Sequence, residues 1–467
     1  MKQQKTTFSE LLCALCFTLC FFAFMLTEAF INERSAVIFG SSAVNPVYTF
    51  GLVCTGLGFL SFSLLRRLCK KEKSRKTAQT VIGILCIGAA MVLLFADHPA
   101  LFLTSSAAAL LLTGHISGCI YYNTAMYFAA SRYTGRLIGT GMGAAILLQF
   151  VVQNLILQPV IFIISILLSV AFVMYFIMKA PKGWILENPL PYSSDTKKDF
   201  KKSLLLIIAV VLMSLVAGMI DSVLTAFNAE KSYDIYSGVR LFYALGLILA
   251  GFLADIRERK YLPLSAVCTI LLSSVCMFFL SDEISYFAGT ALMYLYSGFY
   301  VIFFTVMFLD FAPKSSRPEL WAGMGRIVRS FTVAATVLPT FNIYGAVGNT
   351  VLALVSCLLS ILILLVLLPY LSNAAVSLKP IEELISGSPE LSPQERLKLF
   401  AQYCSLTPRE TEVLEKLLTT EDGVQEIADS LYISRRMVQR YISSIYEKTE
   451  TKTRLGLFQS YMNFTAE

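Results

Sequence analysis

Three arginines within six residues, Arg435, Arg436 and Arg440, stand in the stretch ISRRMVQRY with Gln439 among them. Guanidinium groups fork onto phosphates and guanine edges, and a glutamine amide pairs with adenine. A helix presenting these groups on one side is built to lie against DNA. Ser434 is a helix-capping type at the right place, and Ser443 and Lys448 extend the polar side. Val438, Ile442 and Ile445 recur at i, i+4 and i+7 and need an apolar support on the other side. A second group of reactive residues lies in greasy runs: Glu28, His115, Gln149, Gln153, Asn154, Asp221, Arg240, Arg326 and Arg329. Ionisable groups in lipid are costly and mark a functional pairing or a polar pathway. Two readings stay open. The acids and arginines pair with one another and hold helices together, an Asp221–Arg240 pair being compatible with their outer positions. Alternatively some of them, with Glu28, Asp221 and Arg240 first, line an outward-facing cavity for a polar or anionic small molecule, with Tyr121 and Tyr122 as ring surface.

The elements around these residues belong to a membrane protein. The 467 residues are 56% hydrophobic and 15% charged, with a mean hydropathy of +0.68, whereas soluble domains carry about 25% charged residues. The 11 cysteines fall mainly in or beside apolar runs, with Cys13, Cys16 and Cys20 at helical spacing. They read as small packing residues, and no disulfide framework is expected. With two histidines in the chain, no metal or other cofactor is expected. No nucleophile–base pair or phosphate loop stands out, which argues against an enzyme.

A crossing needs roughly 20 apolar residues. Twelve stretches qualify: 9–30, 46–65, 78–96, 101–129, 137–157, 159–179, 203–225, 238–254, 261–280, 286–309, 320–340 and 350–371. The first follows a basic start but is too long for a signal peptide's apolar core, and no small-x-small cleavage site follows. It is expected to stay as a helix. Loops 66–76, 179–202 and 256–260 carry seven, six and three basic residues, and the alternate loops are poor in them. Basic loops stay cytoplasmic, so both termini are expected in the cytoplasm.

The sequence GFL occurs at 58–60 and again at 251–253, an offset of 193 residues that also relates Glu28 to Asp221. Six spans plus six is the plan of many secondary transporters. GFLADIRERK (251–260) resembles the signature between spans eight and nine of the major facilitator superfamily. It matches at Gly251, Leu253, Asp255, Arg257, Arg259 and Lys260, with Glu258 in place of the usual glycine. The first-half copy, GFLSFSLLRRL (58–68), has Phe62 where the acid belongs. The resemblance implies a two-bundle transporter fold, and the missing acid argues against ordinary transport.

After Tyr370 the composition turns polar. Residues 372–402 read as a linker with one short helix. The stretch 372–406, fully extended, reaches on the order of 100 Å. A small helical domain follows over 403–467, with helices expected at 391–404, 406–420, 424–431, 435–449 and 453–463. Thr407, Pro408 and Glu410 make a capping box, and Leu455, Leu457 and Phe458 offer a packing or dimer face. This tail resembles the LuxR-type helix-turn-helix at Leu406, Thr407, Arg409, Glu410, Val413, Leu414, Glu426, Ile427, Ala428, Leu431, Ser434, Val438 and Lys448. It departs at Met437, Tyr441 and Thr449, where the pattern has Thr, His and Leu. The resemblance implies promoter DNA as partner, with contacts from Thr407, Ser434, Arg435, Arg436, Gln439, Arg440, Ser443 and Lys448. Residues 403–467 hold eight basic and ten acidic residues, so the domain is not basic overall, which suits reading of a specific site by a homodimer.

The expected fold class is all-α: a 12-helix bundle (1–371) and a C-terminal helix-turn-helix domain. The function expected is a one-component transcription regulator in the bacterial cytoplasmic membrane, sensing a small-molecule effector. The alternative is a proton-coupled secondary transporter with a regulatory tail.

Overall fold

The computed structural model describes residues 8–375 and 393–462, apart from residues 70, 129, 130, 132, 157–158, 180–195, 230–237, 257–258, 277–282, 421, 450 and 452. Among these residues every regular element is helical, and the chain divides into two compact units, Met1–Ala375 and Val376–Glu467.

The first unit holds α1 (Phe8–Phe39), α2 (Val44–Leu68), α3 (Glu72–Leu94), α4 (Pro99–Tyr127), α5 (Thr134–Val151), α6 (Pro159–Lys179) and α7 (Thr196–Ala229). It continues with α8 (Leu241–Ala254), α9 (Tyr261–Cys276), α10 (Glu283–Phe311), the single turn α11 (Pro318–Trp321) and α12 (Met324–Ala375). Nine described helices are long and apolar enough to cross a membrane, and Gly238–Ala254 and Tyr261–Val275 are shorter apolar helices. Their hydroxyls are accommodated locally: Thr27, Thr55 and Thr124 each donate to the carbonyl four residues back, at 2.8–3.0 Å. Such back-bonds let polar side chains sit in lipid-depth helices without an unmet donor.

Helix α1 packs on α4, α5 and α6, and α3 on α4 and α6, which makes the first bundle. Helix α7 packs on α12, α8 on α10, and α9 on α10 and α12, which makes the second. The bundles meet along two seams, α2 against α12 and α5 against α8. At the second seam a Cβ on Gly139 would lie 2.6 Å from Gly251 Cα, so only glycine permits the backbones to come this close.

Two boundaries differ from the sequence reading. Helix α1 runs on to Phe39, past the expected end near residue 30. Its polar end is held by bonds to other elements, from Gln153 to Glu33 (3.0 Å) and from Arg34 to Asp97. Helix α12 stays helical through the connection expected at 343–349 and covers 52 residues; Val337 meets Ser222 on α7, while Ser356 and Ser360 bond to Ser274 on α9. No proline lies within 343–349, and the two glycines there each cost only about 1 kcal/mol in a helix.

The second unit holds α13 (Pro393–Tyr403), α14 (Pro408–Thr419), α15 (Val424–Ser430), α16 (Arg435–Lys448) and α17 (Arg454–Met462). Its core gathers Leu397, Phe400, Val413, Leu414, Leu417, Ile427, Ala428, Val438, Ile445 and Leu457. Most of the linker expected over 372–402 (residues 376–392), and the side chains of Leu455 and Phe458, lie outside the described residues.

Candidate ligand cavity and nucleic-acid interface

Late α1 and late α7 bring Glu28 and Asp221, the repeat-related acids, to the wall of one cavity of about 100 Å³. Arg240, from the turn before α8, and Arg326 and Arg329, one turn apart on α12, line the same cavity. Asp221 Oδ2 accepts from Arg329 Nη2 at 3.1 Å and from the Tyr48 hydroxyl at 3.0 Å. The Asp221–Arg240 pair expected from sequence is therefore replaced by Asp221–Arg329. Arg240 instead donates to Gln149 Oε1 at 3.1 Å and lies 5.8 Å from the ring centres of Tyr243 and Tyr294. Gln149 donates in turn to the Met25 carbonyl at 3.2 Å. Arg326 Nε donates to the Tyr121 hydroxyl at 2.9 Å, and its guanidinium sits over Phe21 and Phe304. Glu28 has no hydrogen bond or ion pair among the described residues. Its surroundings are nevertheless polar, with three cations on the same wall.

Of the polar residues singled out in the apolar runs, Glu28, Asp221, Arg240, Arg326 and Arg329 line this cavity and Gln149 backs it. His115 lies elsewhere, between Ser61 Oγ (2.7 Å from Nδ1) and Gln79 Nε2 (3.2 Å from Nε2), edge-on to Phe62. Tyr122 belongs to another cluster, under Arg66. Sequence reasoning missed Tyr48, Tyr294, Ser297 and Tyr300 on the wall. The last three fall three residues apart on α10, a polar stripe in an apolar helix that could have flagged them.

The α5–α8 seam carries a capping contact supplied from across the bundles. Asp255 Oδ1 and Oδ2 accept from the backbone N–H groups of Gly135 (2.8 Å) and Arg136 (2.9 Å), in the first turn of α5. Tyr133, the residue at the N-cap, makes no such bond. The Asp255 side chain is buried and also pairs with Arg136 at 3.5 Å and with Arg259. Arg259 holds a left-handed backbone (φ 71°), which its bonds to Asp255, the Ala254 carbonyl and Asp310 (2.7 Å) stabilise. Phe62, at the repeat-related position, is buried against His115 and Tyr122. At the other seam Arg67 pairs with Glu319, in α11, at 3.2 Å.

In the tail, Ser434 caps α16 by accepting from Met437 N at 3.3 Å. Arg435, Arg436, Gln439, Arg440 and Ser443 are exposed, while Val438 and Ile445 are buried. None of the three arginines has an ion pair among the described residues. Glu410 completes the capping box, its Oε2 accepting from Thr407 N at 2.7 Å while its own N–H donates to Thr407 Oγ1 at 3.4 Å. It also accepts from Ser444 Oγ (2.6 Å) and Lys448 Nζ (2.7 Å), joining α14 to the far end of α16. Burial pushes the Glu410 carboxyl up, but the bonds from Lys448, Ser444 and Thr407 outweigh it and hold the group at about 2. Between α15 and α16 the turn passes through Tyr432 at φ 55°.

Residues 404–460 match the GerE family, described as bacterial regulatory proteins of the luxR family. These residues form a LuxR-family helix-turn-helix. The fold is also similar to the crystal structure of the human organic anion transporter MFSD10 (TETRAN), with a TM-score of 0.56 at 14% identity, over 77% of this chain and 98% of that one. At that identity the likeness concerns the fold, which is major-facilitator-like. No curated protein matches the chain in sequence.

Within the LuxR-type domain the proposed DNA residues divide by geometry. Ser434, Arg435, Arg436, Gln439, Arg440 and Ser443 share the exposed side of α16 and its start. Lys448 is bonded to Glu410 and to the Ser405 carbonyl, and Thr407 caps α14. Of the departures from the LuxR pattern, Tyr441 packs half-buried on the core, and Thr449 is buried, its hydroxyl donating to the Ile445 carbonyl at 2.7 Å.

Proposed function

We propose that the protein is a one-component transcription regulator of the bacterial cytoplasmic membrane. The bundle binds a small molecule in the cavity of Glu28, Asp221, Arg240, Arg326 and Arg329. Binding favours one of two bundle arrangements and changes how LuxR-type domains pair on a promoter; a ligand has this effect only by binding one arrangement more tightly. The observation that carries the reading is the presence, in one chain, of a major-facilitator-like bundle and a helix-turn-helix whose exposed arginines make no ion pair among the described residues. No enzymatic step is assigned to it.

The test is Arg436→Ala with Arg440→Ala. Each lost base or phosphate contact costs about 1–3 kcal/mol, so promoter affinity should fall by roughly 30-fold or more. Membrane insertion should be unchanged. Transcript profiling of a deletion strain supplies the promoters. A double variant that regulates them normally rules the reading out.

A second reading, proton-coupled transport with a regulatory tail, is favoured by two carboxylates lining the cavity. Uptake into vesicles driven by a pH gradient, and abolished by Asp221→Asn, would support it.

A further inference from the structure

We propose that the cavity takes a small zwitterion, with an ammonium and a carboxylate on neighbouring carbons, of glycine to serine size. This rests on the reading of the bundle as a ligand-binding domain and names the class of ligand.

The class follows from which groups on the wall already have partners. Asp221 is bonded to Arg329 and Tyr48, and Arg240 to Gln149. Among the described residues Glu28 and Arg326 Nη2 remain without a bond, as do the buried Nε atoms of Arg240 and Arg329, whose guanidinium groups are each held through another nitrogen. Glu28 lines the cavity with no hydrogen bond or ion pair among the described residues. Arg326 is 6% exposed, and its Nη2 is buried with no hydrogen-bond partner among the described residues, while Tyr121 holds its Nε and so fixes the guanidinium plane. A ligand bearing only a carboxylate satisfies Arg326 and leaves Glu28 a desolvated like charge. A ligand bearing only an ammonium satisfies Glu28 and leaves Arg326 open, beside two further cations. Either leaves a buried charge uncompensated. A zwitterion closes both, with its carboxylate on Arg326 and its ammonium on Glu28.

Size narrows the class. An apolar cavity of about 150 Å³ holds benzene. A cavity of about 100 Å³ therefore fits the ammonium, α-carbon and carboxylate of an amino acid with a small side chain.

The test uses purified full-length protein in lipid nanodiscs, titrated with glycine, L-alanine, L-serine, L-tryptophan, propionate and propylamine. Binding is read by calorimetry and by thermal unfolding. The three small amino acids should bind and raise Tm, while propionate, propylamine and L-tryptophan bind at least tenfold more weakly. Glu28→Gln should weaken L-alanine at least tenfold and remove its advantage over propionate, with the unliganded Tm near wild type. Arg326→Lys should weaken L-alanine and propionate together. If that variant fails to insert, Tyr121→Phe, which removes only the hydroxyl orienting Arg326, replaces it. The assignment is overturned if propionate binds as well as L-alanine, if Glu28→Gln binds L-alanine normally, or if no small amino acid binds. Failure of the sensing reading looks different: L-alanine binds as described, but transcription from the regulated promoters does not respond to it. Conversely, transcription that depends on Glu28 while the small amino acids fail to bind overturns the ligand class and keeps the sensing reading.

Discussion

Glu410 links three parts of the LuxR-type domain: the start of α14, Ser444 in the middle of α16 and Lys448 at its end. Its carboxyl is held at about 2 in the folded chain against an ordinary value of 4.5. The stabilisation is therefore complete above about pH 4.5 and is lost as pH falls through about 2. Hydrogen exchange in α14 and α16, compared between wild type and Glu410→Gln at each pH, should show wild-type protection converging on the variant's as pH drops from 5 to 2. At neutral pH, Glu410→Ala should destabilise the domain by about 1–2 kcal/mol, since it opens the cap and removes the bonds to Ser444 and Lys448. The capping box was legible in sequence because its members lie three residues apart. The bond from Lys448, 38 residues away, had no such signal. The cavity shows the same division. Glu28 and Asp221 stood out as charges in apolar runs, but the partners of Asp221 lie 108 and 173 residues distant. One of them, Tyr48, is an ordinary aromatic by type.

At the scale of elements, the α5–α8 seam depends on the absence of side chains. Gly139→Leu should force the helices apart and cost about 1–3 kcal/mol through overpacking, measured as a lower Tm of the purified protein. Gly88→Ala on α3, where a Cβ would meet nothing within 4 Å, is the matched control and should be neutral or slightly stabilising. In the tail, Ser434→Ala should loosen the first turn of α16 by about 1 kcal/mol, seen as faster exchange at Met437. The helices were largely readable because hydrophobic runs and caps are local. Their ends were not, where charged side chains are carried on by bonds from other helices, as at Glu33 and Arg34. Asp255 is the clearest case. The motif around it was visible, but its acceptors serve backbone N–H groups 119 and 120 residues earlier, and backbone donors leave no trace in residue type.

At the scale of the molecule, our reading places both termini in the cytoplasm. Alkaline phosphatase fused after residue 467 should be inactive, while a fusion within 281–285 should be active; the reverse pattern would sink the topology and with it access to DNA. The repeat also leaves the bundles unequally tied. Asp255 at one seam is buried on a helix start, whereas Arg67 at the other is 41% exposed and pairs with Glu319 across a wetter contact. Exposed pairs are screened by salt, and buried ones much less. Raising ionic strength should accordingly speed cysteine cross-linking or labelling along α2 and α11 well before it touches α5 and α8. Mechanically, the bundle would then resemble a book, with α5 and α8 as its spine and α2 and α12 as the fore-edge where it falls open.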